Sequence, residues 1–237
     1  MNSSATDYKK LYHLQDKTLQ ALKGQFGPFY LTGGTALGRF YLNHRFSDDL
    51  DFFVNHNSTF GAEVKRIYKY LIGEMSVDTA STIDTPEFVR IWIDGEPRMK
   101  LEFVNDVAEY CGAVMFYQGI PIDNPQNILA NKLGAMLSRD EAKDVFDIVS
   151  LADHYSFDWK TMYGLATQKQ LMNEQDILMR ITTFPVDWLP EQKWLHHPVD
   201  LSSFKEKLDR IADDFILGRD NSLGDGKTPI DQAQPGM

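Results

Sequence analysis

The stretch "LTGGTALGRFYLNHRFSDDLDFFV", residues 31 to 54, restricts what this chain can fold into more than any other. The run "PFYLT" reads as a short strand, and the glycine pair Gly33 and Gly34 breaks it. "TALGRFYLNH" then has the spacing of a helix from Thr35 to His44 that buries Leu37, Phe40 and Tyr41, and "DLDFFV" alternates as a second strand. Strand side chains alternate between faces, so Asp49 and Asp51 share one face while Leu50 and Phe52 take the other. Two carboxylates so placed repel unless a cation lies between them or water screens them. A D-x-D pair is therefore half a site for Mg²⁺, which takes oxygens from a few carboxylates, waters and substrate phosphates. The glycines, with no Cβ in front of their N–H groups at the positive end of a helix, offer a place for a phosphate. The same residues also suit a tight packing turn followed by a solvated strand edge, and the segment alone does not separate the two readings.

The rest of the chain supplies partners for a site. "RMKLEFV" places Arg98, Lys100, Glu102 and Val104 on one face and Met99, Leu101 and Phe103 on the other. Glu102 is thus a candidate third carboxylate, with Lys100 beside it to neutralise a phosphate or a carboxylate. Arg45, with its planar fork, suits a phosphate better than the neighbouring His44 does.

Around this segment the first half reads as mixed α/β. Leu11, Leu14, Ala21 and Leu22 mark a packing helix that Gly24 stops, and Val64, Ile67, Tyr68 and Leu71 mark another. Asp94-Gly95 and Gly119 each predict a hairpin. After Asn124-Pro125, an N-cap followed by proline at the first helical position, the pattern becomes helical. "PQNILANKLGAML" and "DEAKDVFDIVSLADHY" are separated by "SR", with Ser138 and Glu141 at capping-box spacing. Further helices are expected over 159–183 and 201–217. From about Gly218 the chain is rich in Gly, Pro and Asp and predicts a mobile tail. The expected organisation is 1–122, 123–217 and the tail 218–237.

With 43% hydrophobic residues the chain can bury a sizeable core, and its net charge of −10 argues against sequence-independent coating of a polyanion. The single cysteine, Cys111, excludes an internal disulfide and a cysteine-cluster metal site. No signal peptide or membrane span is apparent, so a cytoplasmic protein is expected. "NSLGDGKT" lacks the glycine of a phosphate loop at Asn221, and His196-His197 lacks the ligand spacing of a zinc site.

These motifs together resemble the DNA polymerase beta-like nucleotidyltransferases, and more closely the AbiEii/AbiGii toxin family. "LTGGTALGRFYLNHRFSDDLDFF" is similar to that family's first motif, with glycine pair, His-Arg, Ser and D-x-D in order. "KLEF" at 100–103 is similar to its K-x-D motif, with Glu102 in place of aspartate. "ANKLGAMLSRDEAKDVFDIVSL" resembles its helical motifs, a lysine followed by R-x-x-x-K-D-x-x-D. The resemblance spans about residues 28 to 152 and implies a nucleotidyltransferase core of mixed sheet and helices followed by a helical region. It implies that Asp49, Asp51 and Glu102 hold Mg²⁺ or Mn²⁺, with Glu102 a candidate base. Gly33, Gly34, Thr35, Arg45, Ser47, Lys100, Lys132, Lys143, Asp144 and Asp147 would surround the nucleotide. Lys132 also suits a lysine snorkelling over the Leu129, Leu133 and Met136 stripe, and Lys143 with Asp147 a surface i, i+4 pair.

The implied activity is transfer of a nucleoside monophosphate from an NTP to an acceptor such as tRNA or another RNA. The implied role is the toxin of a toxin-antitoxin or phage-defence pair, with an antitoxin protein or RNA as partner and no membrane. Two alternatives stay open: a nucleotide-binding or partner-docking protein without turnover, and a small-molecule nucleotidyltransferase of the antibiotic-modifying kind.

Overall fold

The computed structural model describes residues 3–236. A seven-stranded mixed sheet runs in the order β3-β4-β5-β2-β1-β7-β6. Its strands are β1 (Tyr30–Thr32), β2 (Leu50–Asn55), β3 (Val77–Asp84), β4 (Phe88–Ile93), β5 (Met99–Asp106), β6 (Met115–Tyr117) and β7 (Ile120–Ile122). Both expected hairpins form, β4–β5 through residues 94–98 and β6–β7 through Gly119 at φ +83°. β3 was not legible in the sequence. Its alternation is weak because it is an outer strand with mostly exposed side chains.

Strict alternation on β2, β4 and β5 explains the layer beneath the sheet. Leu50, Phe52 and Val54, Val89, Ile91 and Ile93, and Leu101 and Phe103 are all buried. Helices α1 (Ser3–Ala21) and α3 (Phe60–Glu74) supply Leu11, Leu19, Phe60, Val64 and Ile67 to the same core, joined by Leu22 just after α1. The Phe52 and Phe103 rings stack there at 5.4 Å. With the apolar alternates turned down, the polar alternates of β2 and β5 must face up. β2 lies parallel to β5 with Asp51 opposite Glu102, β1 places Thr32 opposite Asp51, and β4 places Arg90 opposite Glu102. Thr32, Asp51, Glu102 and Arg90 therefore form one row across four strands.

The helical half is α4 (Pro125–Ser138), α5 (Ala142–His154), α6 (Trp159–Lys169), α7 (Glu174–Thr182) and α8 (Leu201–Ile216). Asn124 caps α4 as its sequence predicts, accepting a hydrogen bond from the Asn127 N–H at 2.9 Å. Four expectations need correction. The helix over 35–44 is five α-helical residues, α2 (Gly33–Leu37), followed by a π-helical turn over Gly38–Leu42, and Asn43 ends it at φ +47°. The helical stretch expected over 159–183 is interrupted at Gln170, and Asn173 starts α7 by capping Asp176. The Ser138/Glu141 capping box does not form, because the Ser138 hydroxyl donates instead to the Gly134 carbonyl at 2.8 Å.

The fourth correction concerns residues 218–236, which are packed rather than a mobile tail. Asn221 is buried and donates to the Ala152 and Tyr155 carbonyls at 2.7 and 2.8 Å. The short strand β9 (Thr228–Pro229) pairs in parallel with β8 (Tyr155–Ser156), Ile230 and Ala233 are buried, and Gly236 donates to the Phe40 carbonyl. A few anchors suffice where composition alone suggests nothing to bury. Among the described residues no helix is long and apolar enough to cross a membrane.

Candidate active site

Above the polar row lies a cleft of about 560 Å³, walled by β1, β2 and β5 on one side and by α4, the start of α5 and the end of α6 on the other. Gly33, Gly34, Arg45, Ser47, Asp49, Asp51, Lys100, Glu102, Lys132 and Lys143 all line it. The strand register brings Asp51 and Glu102 together, and the alternation adds Asp49 and Lys100. The Lys100 ammonium is 2.8 Å from Asp49 Oδ2 and 3.2 Å from Glu102 Oε1. Arg90 Nε donates to Glu102 Oε1 at 2.7 Å. Burial raises the Asp49 carboxyl, with Lys100 opposing. Asp51 is pushed up to about 7, first by burial and then by the charges of Asp49 and Glu102.

This arrangement bears on a metal ion. Three carboxylates in one wall with one carboxyl forced toward neutrality is a site short of positive charge, and its hard oxygens suit Mg²⁺ or Mn²⁺. Asp49 and Asp51 have the donor chemistry to hold such an ion. Among the described residues no three His, Cys, Asp or Glu groups converge as a metal cluster. As placed, Glu102 is turned to Arg90 and Lys100 rather than toward its two partners.

The glycines serve the site's own side chains. Gly33 has φ +68°, and a Cβ there would lie 2.8 Å from Asp51 Oδ2. A Cβ on Gly34 would overlap the Arg45 guanidinium and lie 2.9 Å from Ser47 Oγ. The Thr35 hydroxyl donates to the Asp49 carbonyl, and Thr35 is fully buried. Thr35 thus fixes the aspartate strand instead of lining the cleft, a correction to its expected contact with nucleotide.

Behind the opposite wall is a buried ionic network. Arg45 Nε and Nη2 donate to Asp147 Oδ1 and Oδ2 at 2.6 and 2.8 Å, and its Nη1 donates to the Phe46 carbonyl. Lys132 Nζ bridges Asp144 Oδ1 and Asp147 Oδ2, both at 2.7 Å. Arg139 Nε donates to Asp144 Oδ2 at 2.7 Å, and its side chain is half exposed. Lys132 is therefore an ion-paired buried lysine, not a snorkelling one. Asp144 and Asp147 share a face as i, i+3 neighbours and are fully buried, so they orient the cations and do not face the cleft. Burial acts to raise the Asp147 carboxyl, yet Arg45 and Lys132 hold it well below the usual carboxylate range. Burial lowers His44, whose Nε2 lies 2.8 Å from Asp147 Oδ1; a neutral His44 donates there. Lys143 pairs with Glu141 at 3.1 Å and not with Asp147.

Several cleft residues escaped the sequence reading. Arg139 is the first position of the R-x-x-x-K-D pattern and could have been singled out from it. Arg90 sits on the same alternating face as Trp92, a signal visible only once β4 is paired with β5. Trp194 comes from the 184–200 loop, which had no readable motif. Its carbonyl accepts from the Phe46 N–H at 2.8 Å, and Arg45 lies 5.6 Å from its ring centre. His196 packs edge-on against Phe46 at 4.0 Å and contacts the Asn43 carbonyl.

The model of the family described as "Nucleotidyl transferase AbiEii toxin, Type IV TA system" matches residues 17–215. Among solved structures, JHP933 from Helicobacter pylori is 24% identical, covering 84% of this chain and 88% of its own, with a TM-score of 0.54. MenT4, a nucleotidyltransferase toxin from Mycobacterium tuberculosis H37Rv, is 16% identical, covering 98% of this chain and 88% of its own, with a TM-score of 0.58. At these identities both likenesses speak to the fold. No curated protein matches the chain. The family match extends from α1 nearly to the end of α8 and takes in every element that walls the cleft: the chain belongs to the AbiEii nucleotidyltransferase toxin family.

Proposed function

We propose that the cleft binds an NTP with Mg²⁺ and transfers its nucleoside monophosphate to an acceptor hydroxyl, releasing pyrophosphate. The observation that supports this best is the pairing of walls. A carboxylate row with too little positive charge, Asp49, Asp51 and Glu102, faces a wall with a surplus of it. In the network behind that wall three cations, Arg45, Lys132 and Arg139, meet two carboxylates, Asp144 and Asp147, while burial favours neutral His44. The net single positive charge is directed at the cleft through Arg139 and Lys132. That division suits a metal on one side and a triphosphate spanning to the other.

Asp49 and Asp51 would hold Mg²⁺ or Mn²⁺, which when bound neutralises charge on the phosphates and leaving pyrophosphate. Lys100 already neutralises Asp49 and Glu102 and lies where it can shift onto a phosphate oxygen. Ser47, beside Gly34, is placed to donate to another. Glu102 can accept the acceptor's proton only after giving up Arg90 or Lys100. An RNA such as tRNA is the acceptor we favour. The family role brings an antitoxin, protein or RNA, as partner, and the substrates put the reaction in the cytoplasm.

The test is to incubate the protein with each labelled NTP, Mg²⁺ and total RNA, beside Asp49→Ala/Asp51→Ala. Label transfer that persists undiminished in the variant would overturn the metal assignment. The engagement of Glu102 by Arg90 and Lys100 favours a second reading, nucleotide binding without turnover. NTP binding without transfer to RNA or to any small molecule of a cell extract would support it.

A further inference from the structure

The cleft continues beyond the carboxylates. On the upper face of the sheet the row after Asp51 and Glu102 is Phe53 opposite Val104, and the next is Asn55 opposite Asp106. Two strand residues advance about 7 Å, so Asp106 lies about 13 Å along β5 from Glu102. Phe53 and Val104 form a flat apolar floor, and Asp106 stands at its far edge. From the opposite wall α4 contributes Asn131 and α6 contributes Lys169. The Lys169 ammonium donates to Asn127 Oδ1 at 2.8 Å and is 3.5 Å from Asp106 Oδ2, too far for a hydrogen bond.

Two polar atoms here are buried without a hydrogen-bond partner among the described residues: Asn131 Nδ2, a donor, and Asp106 Oδ2, an acceptor. An amide donor and a carboxylate oxygen that both lack a hydrogen-bond partner, the carboxylate being ion-paired to Lys169 only at 3.5 Å, point to a ligand edge that satisfies both.

We infer that this end of the cleft reads the nucleobase of the NTP. The base lies on Phe53 and Val104, Asp106 Oδ2 accepts an N–H from its exocyclic amino group, and Asn131 Nδ2 donates to its neighbouring acceptor. A carboxylate aligned with the exocyclic amino group favours amino-bearing bases over uracil, which places a carbonyl oxygen at that position and has only its ring N3–H to offer as a donor. Lys169, ion-paired to Asp106 at 3.5 Å, positions it. This inference rests on the cleft being an NTP site, and it adds which bases are taken and which residues choose.

The experiment is calorimetric titration of the full chain, Asp106→Asn and Asn131→Ala with ATP, CTP, GTP, UTP and inorganic tripolyphosphate, all with Mg²⁺. Thermal melts establish that each variant is folded. The wild type is expected to bind amino-bearing nucleotides about tenfold or more tighter than UTP. Asp106→Asn, which offers a donor as well as an acceptor, should shrink that ratio to about threefold or less. Asn131→Ala should weaken the nucleotides relative to tripolyphosphate. An unchanged nucleotide order in Asp106→Asn, or equal loss of nucleotide and tripolyphosphate in both variants, would overturn the assignment while leaving the NTP site standing. A wild type that binds neither tripolyphosphate nor any NTP would remove the site itself, and the base assignment with it.

Discussion

Arg45 and Asp147, 102 residues apart in sequence, meet through two parallel hydrogen bonds of 2.6 and 2.8 Å with both side chains out of solvent. The pair joins the loop before the D-x-D strand to α5. The aspartates are thereby tied to the helical wall that faces them, and the width of the cleft is set by a planar fork.

Removing one partner strands the other charge in the interior. Arg45→Ala should therefore destabilise the protein by about 3 kcal/mol or more, a fall in Tm of about 6–12 °C for a chain of this size. Asp147→Asn should behave similarly, since Lys132 also loses a partner. A thermal melt showing a loss under about 1 kcal/mol in both would mean that the pair does not hold the walls together.

The pH dependence follows from carboxyls pushed upward. Asp51 reaches about 7 and Asp123 about 6, in both cases mainly through burial, although Thr32, Asn127 and Tyr110 hydrogen-bond Asp123. Above the ordinary carboxyl value and below these values, the native state binds more protons than the unfolded chain. These two groups thus make stability fall as pH rises from about 4 to 7. His44, lowered by burial, acts oppositely on its own range, so the informative quantity is the difference between wild type and Asp51→Asn. That variant should be the more stable of the two at pH 8, with the gap closing toward pH 5. Mg²⁺, which needs the ionised carboxylate, should raise the wild-type Tm more at pH 8 than at pH 6. Parallel pH profiles for the two proteins, measured by scanning fluorimetry, would contradict the placement of Asp51.

Lys100 pairs with two carboxylates, Asp49 and Glu102, and its removal separates two functions. Lys100→Met should leave the Mg²⁺-induced rise in Tm present or larger, because a competing cation is gone. Nucleotide transfer should drop about 100-fold if the ammonium contacts phosphate in the transition state. Coupled pyrophosphate detection together with melts at graded Mg²⁺ measures both. Loss of the Mg²⁺ effect would show that Lys100 shapes the metal site instead.

What was legible in the sequence is what local chemistry dictates. The glycine break, the alternation of "DLDFFV" and "MKLEFV", and the Asn124-Pro125 helix start follow from two-residue and helical periods, and each stands in the structure. Which residues meet was less legible, because pairing is tertiary. Nothing local announces that Arg45 turns inward to Asp147, nor that Arg90 lies opposite Glu102. Lys169 closes a cleft whose other wall, on β1, β2 and β5, lies more than sixty residues upstream. Residues 218–236 were misjudged for a related reason: their order rests on Asn221, Ile230 and Ala233, three anchors too sparse to form a pattern.

The glycine pair offers the sharpest separation of sterics from backbone preference. Gly34 lies in α2 without a positive φ, so an alanine there has no conformational objection; its Cβ would instead overlap Arg45 Nη2 and crowd Ser47 Oγ. Arg45 cannot retreat without breaking its bonds to Asp147. Gly34→Ala should therefore destabilise by about 1–3 kcal/mol, as overpacking does, and lower nucleotide transfer with it. Gly61, inside α3, has nothing within 4 Å of its Cβ position, and Gly61→Ala should be neutral or stabilise by up to about 1 kcal/mol. Melting both variants side by side decides the point. If Gly34→Ala matches Gly61→Ala in Tm, the Arg45 guanidinium is not seated over Gly34.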